Sequence, residues 1–152
     1  MEDPRRIVSA IGKLTKVNFR RALKYRAGAH QASSRQIRSL FAEFVRQSEV
    51  FSEELQRHYS VASPGSVPSL SFWETITTTL RMSSGSDISI SEFEKMEDES
   101  LQAYRQVMRY KYVPIETLQD IAHQMEAIEE AKGILISLRP KTISQLSPVS
   151  AY

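Results

Sequence analysis

The stretch Ile90–Met108, ISEFEKMEDESLQAYRQVM, decides the fold class. At roughly 100° per residue, Ile90, Phe93, Leu101, Tyr104 and Met108 fall on one stripe, the signature of an amphipathic helix. Glu97 falls at the centre of that stripe and Glu94 at its edge. A carboxylate where a leucine is expected needs a reason, because burying an unpaired charge is expensive.

Immediately C-terminal, a second amphipathic pattern opens at Pro114, runs to about Leu138 and is stopped by Pro140. Its apolar positions Leu118, Ile121, Met125, Ile128 and Ile136 surround Lys132. A core-facing acid and a core-facing base on consecutive helices predict an internal Glu97–Lys132 ion pair. The competing expectation lays the Lys132 stem along the core with its ammonium in water.

Two further helices precede these. The first spans about Pro4 to Gln31, with a seam of Ile7, Ile11, Leu14, Asn18, Ala22, Tyr25 and Ala29. Asn18 on that seam reads as a hydrogen-bonded core residue. The second spans about Ser34 to Tyr59, with Ile37, Phe41, Phe44, Ser48, Phe51, Leu55 and His58 on one face and Ser33-x-x-Gln36 as a capping box. The turn between them is so short that they must be antiparallel neighbours.

The stretch 60–87 breaks the helical pattern. It is Ser/Pro-rich, contains Pro64-Gly65, and holds Trp73 within a short helical segment, Leu70 to Arg81. It is too long for a hairpin turn and long enough to cross the bundle, which makes the second and third helices parallel. Two antiparallel pairs joined by such a crossover predict an all-α, ferritin-like four-helix bundle over residues 1–139. Residues 140–152 form a Ser/Pro-rich tail.

Composition narrows the chemistry. The chain has 152 residues, enough to bury a core as one domain, with 41% hydrophobic and 25% charged residues. Its five glycines argue against a phosphate-cradling fold, and the lack of cysteine removes thiol nucleophiles, disulfides and Cys-ligated metals. No stretch approaches the ~18 apolar residues of a membrane span, and no secretory signature opens the chain, so a cytoplasmic protein is expected.

Charge is unevenly distributed. Residues 1–60 carry twelve Lys/Arg against six Asp/Glu, and residues 87–139 carry six against eleven. The basic and acidic helix pairs offer complementary surfaces, from which a homo-oligomer is expected, a dimer in the simplest case. A face of Lys13, Lys16, Arg20, Arg21 and Lys24 is the candidate for binding an anion, nucleic acid or acidic lipid.

A di-metal centre in such a bundle draws one Glu from each of two helices and a Glu-x-x-His from each of the other two. Here the candidates are Glu94, Glu97 and Glu129, the last in Glu129-x-x-Lys132 where a histidine is wanted. His30 and His58 lie near helix ends, and His123 points away from the apolar stripe. No metal or other cofactor is therefore expected; the alternative is weak iron or manganese binding with oxidase-like activity. No nucleophile elbow or Gly-rich loop supports catalysis.

Several motifs, taken in order, resemble an uncharacterised bacterial ferritin-like family, a conserved domain of unknown function, over about residues 11–139. They are Tyr25 with Leu40-Phe41 sixteen positions on, Phe51-x-x-Glu54-Leu55-Gln56, Trp73, Glu94-x-x-Glu97-Asp98-x-x-Leu101-x-x-Tyr104, Gln124 and Leu138-Arg139. Ala22 stands where that family tends to carry an acid, and Lys132 where it often carries a histidine. The resemblance implies the bundle fold, a degenerate metal site, and a role akin to the stress responses of some relatives. The expectation is a non-enzymatic bundle protein whose di-metal site has been lost.

Overall fold

The computed structural model describes residues 4–62, 89–110 and 113–138. Most of the expected crossover, with its short helix and Trp73, and the 140–152 tail lie outside the described residues. The described residues form four helices: α1 (Pro4–Gln31), α2 (Arg35–Ala62), α3 (Ile90–Met108) and α4 (Ile115–Leu138). The described residues contain no strand. They pack as an all-helical four-helix bundle, and no described helix is long and apolar enough to cross a membrane.

The turn from α1 to α2 is closed at both ends by side chains. The Ser34 hydroxyl accepts from the Ile37 amide at 3.3 Å, so Ser34 rather than Ser33 starts α2. Arg38 donates to the Ala32 and Ser33 carbonyls at 2.9 and 3.1 Å, placing a cation at the negative end of α1. At the start of α3 the Ser89 side chain makes no cap bond and instead meets the Ser91 hydroxyl.

Side-chain pairings fix the helix directions. On α1 and α2, Tyr25 meets Phe41 edge-on and Phe44 at a tilt while Arg21 lies over Phe51, so the pair runs antiparallel. Asn18 meets Tyr104 and Arg21 meets Glu97, which makes α1 antiparallel to α3. Glu54 with Gln124 and His58 with Asp120 make α2 antiparallel to α4. Helices α2 and α3 are therefore parallel and occupy opposite corners, as do α1 and α4.

Two apolar clusters fill the interior. One is aromatic, with Tyr25, Phe41, Phe44 and Phe93 beside Met96, Ala131 and Leu135. The other gathers Ile11, Leu14, Phe51, Leu55, Leu101, Ile121 and Ile128 around Tyr104. On α4 the buried stripe is Thr117, Ile121, Gln124, Ile128, Ala131 and Leu135. The expected stripe is thus rotated: Ile136 is exposed and Lys132 lies at the edge of the α3 interface.

Candidate functional site

A buried polar network runs between and into the two apolar clusters, and it is built around a fully buried arginine. Arg21 sits three residues after Asn18 and four before Tyr25, so all three side chains leave one face of α1. Glu97 projects from the inner face of α3 to meet them. Both Arg21 and Glu97 are 0% exposed.

The guanidinium grips the carboxylate with two parallel bonds. Arg21 Nε donates to Glu97 Oε1 at 2.8 Å, and Nη2 donates to Oε2 at 2.9 Å. This bidentate geometry is the strongest form of a charged hydrogen-bonded pair. Nη2 also donates to Gln47 Oε1 at 2.8 Å, and Nη1 to Asn18 Oδ1 at 3.1 Å. Tyr25 adds a third donor to the carboxylate, its hydroxyl lying 2.7 Å from Glu97 Oε2.

The layer continues toward α4. Asn18 Nδ2 donates to the Leu14 carbonyl and to the Tyr104 hydroxyl, at 3.0 and 2.7 Å. Tyr104 in turn donates to Gln124 Oε1 at 2.6 Å. Gln124 Nε2 reaches the Phe51 carbonyl at 3.3 Å and Glu54 Oε1 at 3.0 Å. One connected network thus takes side chains from all four helices and ends at half-buried Glu54.

Burial and charge shift the titrations together. Desolvation alone would lower the Arg21 pKa, but the charge and hydrogen bonds of Glu97 outweigh it and hold the guanidinium above its ordinary value. Burial pushes both the Tyr25 and Tyr104 hydroxyls well above the usual range, and the nearby Glu97 charge adds to the shift at each. The network therefore holds one guanidinium, two carboxyl side chains (Glu97 at its centre and Glu54 at its outer end), and hydroxyls and amides that stay neutral.

The expected Glu97–Lys132 pair is replaced by two separate pairings. Glu97 takes Arg21, and Lys132 pairs with exposed Asp98 at the α3–α4 edge. The reason is the rotation of α4, which points Gln124 inward and leaves Lys132 one-third exposed. The proposed metal carboxylates do not converge: Glu97 is committed to Arg21, Glu94 is nearly buried, and Glu129 is exposed on α4. Among the described residues no three His, Asp or Glu side chains form a group able to hold a metal.

The candidate anion-binding face also changes composition. Arg21 leaves it for the core, while Arg20 and Lys24 pair with Glu99 and Glu92 of α3 at 3.7 and 4.0 Å. Lys13 and Lys16 remain exposed. Arg21 is the residue whose place the sequence pattern misassigns: it lies in the core and not on the basic face. Its signal was present in the Asn18, Arg21, Tyr25 spacing, but Ala22 fits the same seam at a four-residue step and is the safer choice for a core.

A second polar cluster joins α2 to α4. His58 Nε2 lies 2.6 Å from Asp120 Oδ2, and its Nδ1 lies 3.0 Å from the Thr117 hydroxyl. The order hydroxyl, imidazole, carboxylate imitates a nucleophilic triad. Thr117 is only 3% exposed, however, so its oxygen has no open approach for a substrate. The cluster acts as a clasp between helix ends. Comparisons with protein-family models, curated proteins and solved structures give no match.

Proposed function

We propose that this chain is a non-enzymatic, ferritin-like bundle protein in which a permanent arginine–carboxylate network fills the place of a di-metal centre. The observation that carries this reading is the bidentate Arg21–Glu97 pair at 0% exposure. A di-metal centre needs carboxylates whose oxygens are open to cations. Here both oxygens of Glu97 are engaged by Arg21 and Tyr25, and the guanidinium already supplies the compensating positive charge. A metal would have to expel a hydrogen-bonded arginine from the core and leave it unpaired.

The ferritin-like part of the reading is supported by the parallel run of α2 and α3 between two antiparallel pairs, together with the motif resemblance around Glu94 to Tyr104. The same reading includes a bacterial, cytoplasmic setting, a stress-related role and self-association as a homo-oligomer. The resident Arg21–Glu97 residues do not fit a metal, so no metal-dependent step enters the proposal.

Metal retention tests it. The protein is incubated with ferrous iron or manganese without oxygen, desalted, assayed for metal and then exposed to air. The expected result is no retained metal and no oxidation signal. Retention of about one or two ions per chain, as in di-iron bundles, lost on Glu97→Ala, would overturn the reading.

A further inference from the structure

The four helices differ sharply in charge. Helix α1 carries eight Lys/Arg and no acid, whereas α4 carries five Asp/Glu and one lysine. The fold neutralises only part of each set. The C-terminal half of α1 is matched cation by cation: Arg20 to Glu99, Arg21 to Glu97, Lys24 to Glu92 and Arg26 to Glu49. In its N-terminal half, Arg6, Lys13 and Lys16 are exposed and make no ion pair among the described residues.

Helix α4 is the mirror case. Asp120 meets His58, and Lys132 is drawn away to Asp98 of α3. Glu126, Glu129 and Glu130 stay exposed and unmatched among the described residues. At 100° per residue these three share the outward arc of α4 with Ile115, which is 67% exposed, and with Gly133, whose outward side is open space. Because α1 and α4 occupy opposite corners, the surplus cations and surplus acids of one chain cannot reach each other.

We infer that a second copy of this chain covers this surface: the Arg6, Lys13 and Lys16 face of one copy docks on the Glu126, Glu129 and Glu130 face of the next. Charge complementarity argues for it, since each face supplies three charges of the sign the other lacks, unmatched among the described residues, over nearly three turns of α1 and just over one turn of α4. The inference rests on the self-association included in the proposed function and specifies its geometry. The two faces lie on opposite sides of the bundle, so the contact is heterologous. Assembly proceeds head to tail into a ring or chain rather than closing as a two-fold dimer.

Sedimentation velocity of the full chain across protein concentration and salt is the test, with circular dichroism confirming that each variant folds. Wild type should assemble beyond a dimer at low ionic strength. Its association should weaken at least about tenfold as the screening length falls from about 30 Å at 0.01 M to about 3 Å at 1 M salt. Lys13→Glu/Lys16→Glu and Glu126→Lys/Glu129→Lys should each be monomeric alone, and mixing the two should restore association. A monomeric wild type at low salt overturns both the surface and the self-association. Assembly that persists in both variants overturns the surface alone. A monomer that binds a DNA duplex through Lys13 and Lys16 assigns the basic face to a polyanion and likewise overturns the inference.

Discussion

Arg21 and Glu97 are both withdrawn from water, and among the described residues each is the other's one full-charge partner. Replacing Arg21 with Met or Glu97 with Leu strands the opposite charge, and each single change should cost about 3–5 kcal/mol. The double replacement removes both charges and should cost clearly less than the sum. It will not be neutral, because Tyr25, Asn18 and Gln47 each lose a partner that the pair had supplied. Denaturant unfolding of the four proteins gives the coupling directly, and additive costs would contradict the pairing. The tyrosines add a pH signature. Their folded pKa values are raised, so the unfolded chain releases these protons first, from about pH 10 upward. Stability should hold below that pH and then fall by about 1.4 kcal/mol per pH unit for each tyrosine. Tyrosinate absorbance followed alongside helical signal should show that Tyr25 and Tyr104 ionise only as the bundle unfolds.

At the scale of the helices, close approach and open surface make opposite demands on glycine. A β-carbon on Gly28 of α1 would meet the Phe93 and Phe41 rings at 2.7 and 2.8 Å, inside the aromatic cluster. Gly28→Ala should therefore destabilise by about 1–3 kcal/mol through overpacking, despite the better helix propensity of alanine. Gly133 of α4 has nothing within 4 Å of the same position, so Gly133→Ala should stabilise by about 0.5–1 kcal/mol. Thermal melts of the two variants should move in opposite directions. The helices themselves were legible in the sequence to within a few residues, because seams such as Ile11, Leu14, Tyr25 and Phe41, Phe44, Phe51, Leu55 repeat at helical spacing. Rotation was less legible. On α4 the stripes through Gln124 and Ala131 or through Met125 and Lys132 both contain Ile121 and Ile128, and hydrophobicity favours the wrong one. Only the partner helix decides, since Tyr104 offers a hydroxyl to Gln124. The same ambiguity placed Arg21 on the surface: an arginine belongs there unless a buried acid on another helix waits for it, and spacing along one helix carries no information about that acid.

For the bundle as a whole, a polar network threaded through two apolar clusters contributes discrimination more than net stability. The apolar seams are mainly Ile, Leu and Phe with a few Ala and Val, side chains that could interdigitate after a helix slid by one turn or rotated slightly. The network does not tolerate such a slip. A shift of α3 by one turn, about 5.4 Å, would pull Glu97 away from Arg21 and Tyr25 and separate Tyr104 from Asn18 and Gln124. Each would become an unpaired buried polar group, so the native register is separated from its neighbours by several lost hydrogen bonds. The expected consequence is specific. Replacing the layer together, with Asn18→Leu, Arg21→Met, Glu97→Leu and Gln124→Leu, should preserve helical content and compactness while weakening uniqueness. Amide and side-chain NMR spectra of that variant should broaden, and it should bind a hydrophobic dye, whereas wild type should give one sharp set of resonances and no dye binding. A variant that remained as well dispersed as wild type would show that apolar packing alone selects the register, and the role of the layer would then reduce to solvating two charges that the core could do without.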